Sequence, residues 1–310
     1  MGNLPKSRFS TIKAFLHCGC DYAGPFTIAP MRKYRGQKTS KAYICLFVCH
    51  STKAVHLELA NDLSYESFLA ALQRFIARRG RCTDLYCDNG TNFVGTNREL
   101  IKLMKIAAER EVIRFHFNPP SGSHFGGLFE AAVKSVKSHF YRVIGSQILT
   151  FEEFYTLLTL IESVLNSRPL CATSSDPDDL NCLTPGHFLT LEPLTAIPIP
   201  DLTDQPLNRL SRWQLLQSLH QHFWARWRNE YLHSLQQRVK WCDISTPALI
   251  GQLVVIKTDK VPPNQWRLGR ITTLFPGSDG VARVARVKTQ DGTFTRPLVK
   301  LCPLPVCDGS

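Results

Sequence analysis

The sequence predicts a two-part protein: a mixed α/β sheet with helices on both faces, followed by a small all-β barrel. In residues 15–170, segments with strand patterning alternate with segments of helical periodicity. In residues 247–304, short β-rich runs separated by turn sequences rich in Gly, Pro and Asp predict about five strands. The chain has 310 residues, of which 44% are apolar, and this is enough for two buried cores.

Five strands and four helices make up the predicted core. The strand segments are short runs that are either apolar or alternating, as expected for strands covered on both faces or on one. They are predicted at 15–20, 41–50, 54–60, 83–87 and 112–117. Helices are predicted at 64–79, 96–110, 128–143 and 150–166. Ser64 supplies an N-cap for the first helix and Gly80 a stop. The first three strands form a meander, and the strands that alternate with helices add parallel neighbours.

Residues 171–246 are predicted as a linker that contains one long helix. The first part, to about 208, holds many Pro, Asp and Thr residues, and we expect it to wrap over the core. An amphipathic helix is predicted over 210–235, and its aromatic stripe favours packing over partner binding. The stripe consists of Trp213, Leu216, Phe223, Trp227 and Tyr231. Residues 1–14 are predicted as a polar arm and 305–310 as a tail.

The charge balance indicates a polyanionic partner. The chain has 37 Lys and Arg against 25 Asp and Glu, a formal net charge of +12. Nucleic acid is the first class of partner that fits and an anionic membrane the second. On charge alone, a basic protein without such a partner remains open. No apolar run approaches the roughly 18 residues that a membrane span needs, so we expect none.

The cysteines predict neither a disulfide framework nor a zinc site. There are 11, an odd number, and no pair has CxxC spacing or combines with His in a zinc pattern. Most lie in apolar, strand-like segments. We therefore expect buried thiols in a reducing compartment, nuclear or cytosolic.

Three acidic residues occupy positions where sites collect in α/β sheets. Asp21 and Asp88 each follow an apolar strand segment, and a turn is predicted directly after Asp21, over YAGP at 22–25. Glu130 lies in the first turn of a helix after a Gly-rich loop. Three carboxylates brought together need cations, and oxygen-only ligands favour Mg²⁺ or Mn²⁺. Two such ions about 4 Å apart stabilise both oxygens of a phosphoryl transfer. Each acid considered singly is more often a turn former or a helix cap.

The segments around these acids resemble the three acidic motifs of retroviral and retrotransposon integrases, and most of all those of BEL/Pao-type elements. The similar segments are DYAGPF at 21–26, DNGTNF at 88–93, NPP at 118–120, HFGGLFE at 124–130 and NSRPL at 166–170. The resemblance covers nearly the whole chain and is weakest at 171–208. One departure is that 41 residues separate Asp88 from Glu130, more than in most retroviral enzymes.

The resemblance implies a ribonuclease-H-like fold and a two-step reaction. Water attacks a phosphodiester near the 3′ end of the element, and the freed 3′-OH then attacks target DNA. Asp21 and Asp88 would share one Mg²⁺ or Mn²⁺ ion, and Asp21 and Glu130 would hold a second. The resemblance also implies double-stranded DNA as the partner, a homo-oligomer, and a nuclear location after passage through the cytoplasm.

Several residues near these motifs are candidate DNA contacts. Lys134 and Lys137 lie four and seven residues after Glu130, on the same helix face. They are similar to lysines that hold donor phosphates in integrases, although a solvated lysine pair remains open. Thr91 resembles a small residue that touches target DNA, and Asn89 is either a DNA contact or a turn former.

The predicted barrel carries a surplus of basic residues. Between 251 and 300 there are nine Lys and Arg and three Asp. The strongest candidate phosphate contacts are Lys257, Arg267, Arg270, Arg283 and Arg286, and the others are Lys260, Lys288, Arg296 and Lys300. The segment resembles the SH3-like domain that follows the integrase core. DNA and a protein partner both remain open as its ligand.

The zinc-binding His/Cys module that usually precedes an integrase core is not found before Asp21. We therefore expect a polyprotein fragment, a trimmed gene prediction or a domesticated gene. Two other classes of function remain open: a non-catalytic DNA-binding protein derived from such an element, and a ribonuclease-H-like nuclease without strand transfer.

Overall fold

The computed structural model describes residues 13–29, 38–88, 90–96, 98–99, 113–117, 127–236 and 248–305, without the side chains of 127–133. Within these ranges, the first half of the chain forms a six-stranded sheet and the last part a five-stranded one. The strands of the first sheet are β1 (His17–Ala29), β2 (Ser40–Cys49), β3 (Val55–Ala60), β4 (Asp84–Cys87), β5 (Arg114–Phe117) and β6 (Leu149–Thr150).

The first sheet has the order β3-β2-β1-β4-β5, with the short β6 paired to the end of β1. β1, β2 and β3 form an antiparallel meander, while β4 is parallel to β1 and β5 is parallel to β4. This is the mixed sheet that the sequence predicts, and its strand order and directions fit a ribonuclease-H-like fold. β6 is a strand beyond the predicted five.

β1 is longer than predicted, and Asp21 lies within the strand rather than at its end. The ladder with β2 continues almost to the end of β1, with a register shift between Ala23 and Phe26. Gly24 makes this irregularity possible, because its φ is +139° and a Cβ there would lie 2.8 Å from Cδ1 of Tyr43. The predicted turn is therefore a bulge inside a continuous strand.

Local capping explains where the helices begin. The helices are α1 (Tyr65–Arg79), α2 (Gly127–Ile144), α3 (Phe151–Asn166), α4 (His187–Thr190) and α5 (Arg212–Leu235). Ser64 caps α1 and Gly80 ends it, as predicted. Thr150 and Ser211 form capping boxes at the starts of α3 and α5. Residues 91–96 and 98–99 are also helical, so this helix begins earlier than the predicted Thr96, and 100–110 lie outside the described residues.

Helices pack on both faces of the first sheet, as predicted. On one face, α1 contributes Phe68 and Phe75, and the ring of Phe75 stacks on Phe47 of β2 at 4.3 Å between centroids. On the other face, α2, α3 and α5 pack against β1, β2 and β3. The alternation of side chains along each strand therefore separates two apolar cores.

The segment between the two sheets is more ordered than predicted. It contains α4 and the paired two-residue strands β7 (Cys171–Ala172) and β8 (Cys182–Leu183). The aromatic stripe of α5 packs as predicted, except for Trp213, which is exposed. Trp224 donates to the carbonyl of Val261 at 2.7 Å, and its ring meets Trp266 edge-on. These contacts join α5 to the second sheet.

The second sheet has five antiparallel strands, as many as predicted. They are β9 (Leu253–Ile256), β10 (Leu268–Pro276), β11 (Ala282–Thr289), β12 (Gly292–Pro297) and β13 (Leu301–Pro303). The order is β12-β11-β10-β9-β13, and a 3₁₀ turn over Leu298–Lys300 leads from β12 to β13. All six residues of β12 are exposed, because this strand forms one edge of the sheet.

The cysteines largely follow the expectation of free thiols. Eight of those described are free, and six of them are buried together under α1. Cys171 is the exception, because it is disulfide-bonded. In the part of the chain that the structure describes, every helix is too short or too polar to cross a membrane.

Candidate functional site

Asp21 projects from the face of the first sheet that carries α2. Its neighbours Cys20 and Tyr22 pack on the opposite face, against the core under α1. Alternation along β1 therefore directs Asp21 toward α2. The contact with Lys137 of α2 agrees with this direction, because its Nζ donates to Oδ2 of Asp21 at 2.7 Å.

Asp88 follows the last residue of β4, beside Asp21. β1 and β4 are parallel, with His17 opposite Asp84 and Gly19 opposite Tyr86. Continuing this register by two residues brings Asp88 level with Asp21, on strands about 4.8 Å apart. Both side chains then lie on the same face of the sheet, since successive residues of parallel neighbours alternate together.

The turn after β4 holds the Asp88 carboxylate in place. Its Oδ1 accepts a hydrogen bond from the backbone N–H of Gly90 at 2.9 Å. A Cβ at Gly90 would lie 2.6 Å from Oδ1 of Asn92 and 3.0 Å from Oδ1 of Asp88, so a larger residue would displace both side chains. Burial and the nearby charge of Asp88 raise the pKa of the Cys87 thiol to about 12. Cys87 is therefore a neutral thiol beneath the carboxylate pair.

The third predicted acid, Glu130, lies in the first turn of α2, and its side chain lies outside the described residues. Lys137 is seven residues further along the same helix face, about 10 Å along the axis. Because Lys137 contacts Asp21, this face of α2 is turned toward β1. Lys134 is exposed on the same helix.

The described carboxylates are suitable in kind for a hard divalent cation. Asp21 and Asp88 provide oxygen donors only, and Asp21 already recruits one cation, the ammonium of Lys137. Among the described residues no group of three His, Cys, Asp or Glu side chains could hold a metal ion. Glu130 is the remaining donor that the sequence predicts.

A cluster that the sequence reasoning missed lies on the same sheet face, toward the start of β4. Asp84 is almost fully buried and accepts hydrogen bonds from His116 at 2.6 Å and from Arg114 at 2.9 Å. Burial raises the pKa of Asp84, but hydrogen bonds from His116, Thr83 and Arg114 outweigh it and hold that pKa at about 2. The sequence DLYCD contained a signal for this cluster, because Asp84 and Asp88 are four residues apart in a strand and therefore lie on the same face of the sheet.

The candidate DNA contacts near the second motif lie at the start of a helix. Thr91 is the first residue of the helical stretch 91–96 and is exposed. Asn89 lies outside the described residues.

The basic residues of the second sheet fall into different environments. Arg270 is only 2% exposed, and its guanidinium donates to the carbonyls of Asp179, Gly251 and Ser174. The guanidinium is buried against these carbonyls and is not accessible to a phosphate. The structure therefore corrects the prediction that Arg270 contacts DNA. Arg283 is exposed but donates through two nitrogens to Asp279, at 3.0 and 2.6 Å.

Three other candidates are at least partly exposed, and none of them has a carboxylate partner among the described residues. Lys257 and Arg267 line a cavity on the sheet. Arg286 lies over the ring of Phe275, with 5.3 Å from its Cζ to the ring centroid. Lys257, Arg267 and Arg286 therefore remain candidates for contacts with an anionic ligand, and Arg296 and Lys300 line the same cavity.

Residues 211–304 match a family model described as a family of unknown function, DUF5641. The match spans α5 and the second sheet, less than a third of the chain. No curated protein matches the chain.

Among solved structures, the chain is similar to the HTLV-2 integrase catalytic core domain in complex with magnesium. Its trimeric form gives 15% identity over 43% of this chain and 73% of that one, with a TM-score of 0.29. Its dimeric form gives 16% identity over 43% and 74%, with the same TM-score. The simian T-cell lymphotropic virus intasome in complex with PP2A regulatory subunit B56 gamma gives 14% identity over 97% and 85%, with a TM-score of 0.32. These values are too low to assign an activity to this chain.

Proposed function

We propose that this chain contains the catalytic core and C-terminal domain of a BEL/Pao-type retrotransposon integrase. It would process the 3′ ends of element DNA and join them to target DNA. The observation that carries the proposal is the parallel register of β1 with β4, which, continued by two residues, brings Asp88 level with Asp21 on the sheet face that carries the basic helix α2. The similarity of the surrounding motifs to integrases supplies the reaction.

Asp21, Asp88 and Glu130 would hold Mg²⁺ or Mn²⁺ at this site. Two such ions would stabilise the attacking and leaving oxygens of the phosphoryl transfer. The protein would contribute a carboxylate pair on one sheet face, because the parallel register of β1 and β4, paired as far as Gly19 and Tyr86, continues toward both acids. It also contributes Lys137, which balances the charge of Asp21.

The DNA would lie along α2 and those exposed basic residues of the second sheet that have no carboxylate partner among the described residues, unlike Arg283, Lys260 and Lys288. Lys134 is exposed beside Lys137, and Thr91 is exposed at the helix start after Asp88. A basic second sheet, which we take to be an SH3-like barrel, would extend this surface. We further propose that the protein works as a homo-oligomer on double-stranded DNA in the nucleus.

The test is a strand-transfer assay with Mn²⁺, labelled terminal-repeat DNA and a plasmid. Asp88→Asn retains the oxygen that accepts from Gly90, so the fold is preserved while a carboxylate is removed. We expect joined products from the wild-type chain and at least a roughly 100-fold loss in the variant, since metal ligation contributes several kcal/mol.

A matched control is Asp201→Asn. Asp201 is exposed and accepts from the N–H two residues ahead, that of Thr203, at 3.0 Å, as Asp88 does from Gly90. Activity of this variant should equal that of the wild type. Cutting without joining would indicate a nuclease instead. DNA binding without either product, unchanged in Asp88→Asn, would indicate a non-catalytic DNA-binding protein and overturn the proposal.

A further inference from the structure

A cavity of about 440 Å³ opens on the second sheet. Its walls are the end of β9, the start of β10, β12, and the turn between β11 and β12. Leu180, from the segment before α4, closes one side. None of the residues that line it belongs to the first sheet, so it is separate from Asp21 and Asp88. Its volume is in the range of sites that take one small ligand.

Four cations line this cavity, and main-chain hydrogen bonds hold three of them close together. They are Lys257, Arg267, Arg296 and Lys300. The N–H of Lys257 donates to the carbonyl of Lys300, and the N–H of Ile256 donates to that of Arg267, each at 2.8 Å. The main chains of Lys257, Arg267 and Lys300 are therefore neighbours, and an anion bound in the cavity would be attracted by several positive charges.

These four cations differ from three other basic residues of the same sheet. Lys260, Lys288 and Arg283 each pair with an aspartate, at distances of 2.5–2.8 Å. Across the ranges that the structure describes, no carboxylate lies within ion-pair distance of the four cavity cations. Apart from Arg286, which lies over the ring of Phe275, the exposed basic residues of the sheet without a carboxylate partner are therefore gathered in one concave site.

An aromatic ring is available beside these cations. Phe294 projects from the edge strand β12 and is 38% exposed. Arg296 lies over its ring, with 5.3 Å from Cζ to the centroid. Phe rings and guanidinium planes are both surfaces on which unpaired nucleobases stack. Trp266 also lines the cavity, but it packs between Trp224 and Tyr231 and serves the junction with α5.

Two carboxylates in the wall favour nucleic acid over an acidic peptide. Asp259 and Asp291 line the cavity together with the four cations. They would repel a phosphate as much as the carboxylate of a peptide, but they can accept hydrogen bonds from the amino groups of nucleobases, which acidic side chains do not offer. The combination of separate phosphate-binding, stacking and amino-accepting groups matches a nucleotide.

We propose that this cavity binds one unpaired nucleotide of a single-stranded nucleic acid. Lys257, Arg267 and Lys300 hold its phosphates, and the base stacks on Phe294 and Arg296. A duplex does not satisfy the site, because its bases are stacked inside the helix and cannot enter a cavity. This activity is separate from strand transfer and requires no metal.

The test measures fluorescence anisotropy of a labelled single strand of ten nucleotides of mixed sequence, bound to the full chain in EDTA. The same sequence as a duplex is measured in parallel. Phe294→Leu retains an apolar side chain and removes the stacking surface. We expect it to weaken single-strand binding roughly 5- to 150-fold and to change duplex binding less than about 2-fold.

Arg267→Gln tests the phosphate contact against a control in the same sheet. For single-strand binding, its slope of log affinity against log salt should fall by roughly 0.7, and that of Arg283→Gln should not change. Circular dichroism confirms that each variant is folded. Three outcomes overturn the proposal: unchanged single-strand affinity in Phe294→Leu, an equal loss for the duplex, or equally effective displacement by polyglutamate and by unlabelled single strand. Because EDTA removes metal, none of these outcomes bears on strand transfer.

Discussion

Arg270 provides the sharpest test of how the second sheet is held to the rest of the chain. Its Nε, Nη1 and Nη2 donate to the carbonyls of Asp179, Gly251 and Ser174 at 2.7, 2.8 and 2.7 Å. Two of these carbonyls belong to the segment between α3 and α4, far away in the sequence. A single guanidinium therefore connects β10 to that segment.

Arg270→Met removes all three donors while keeping an apolar stem of similar length. A buried acceptor left without a donor costs about 1–3 kcal/mol. Three such losses are partly offset, because a buried positive charge no longer has to be desolvated. We therefore expect the free energy of unfolding to fall by about 3–5 kcal/mol. Arg283→Met is the control, because its exposed ion pair with Asp279 contributes at most about 1 kcal/mol.

Urea unfolding followed by tryptophan fluorescence measures both variants, since Trp224 and Trp266 lie at the junction of α5 and the second sheet. A loss below about 1 kcal/mol in Arg270→Met would show that the buried guanidinium does not hold the sheet in place. DNA binding supplies a second readout at a temperature where the variant is folded. A fall of about 1 in the salt slope for Arg270→Met would mean that Arg270 contacts phosphate after all.

Two further predictions concern buried positions elsewhere. Burial lowers the pKa of His220 to about 4 against a weaker opposing hydrogen bond with Leu160, so the unfolded chain takes up a proton between about pH 6.5 and 4 that the folded chain does not. The free energy of unfolding should therefore fall by about 3 kcal/mol when the pH is lowered from 6.5 to 4. Urea unfolding at several pH values measures this fall, which should be absent in His220→Gln. Equal pH profiles for the variant and the wild type would contradict the prediction. Gly269→Ala would place a Cβ 2.5 Å from Cγ1 of Val287 and 2.9 Å from the carbonyl of Lys288, and it should cost about 1–3 kcal/mol. An unchanged thermal midpoint would contradict that expectation.

Most of the secondary structure followed from local signals. The Ser64 cap, the Gly80 stop and the capping box at Ser211 act within one helical turn, so the neighbouring residues are sufficient to identify them. The same holds for the five short strands after residue 248, which turn sequences separate. The segment after Asp21 shows a case in which local signals were not sufficient. The sequence YAGP predicts a turn, but pairing with β2 on one side keeps the strand extended through it.

The candidate site likewise has features that the sequence shows and features that depend on strand pairing. The residue types of Asp21, Asp88 and Glu130 and their motifs are visible in the sequence. That Asp21 and Asp88 share one face of the sheet depends on the parallel pairing of β1 with β4, which joins segments more than sixty residues apart. The Asp84 cluster escaped notice for the same reason, because its partners His116 and Arg114 come from a third strand.

The sequence by itself determined the carboxylate motifs, most of the helices and strands, and the surplus of positive charge, because each depends on neighbouring residues or on composition. Only the tertiary structure decided what each charge does. Arg267 and Arg270 stand three residues apart in β-patterned sequence, yet one lines an open cavity and the other is buried against three carbonyls. Lys137 pairs with Asp21 across 116 residues, while Lys134 on the same helix stays exposed. Whether a cation is neutralised depends on carboxylates and carbonyls from segments that are distant in the sequence. The residues next to the cation in the sequence do not show which of these groups will contact it.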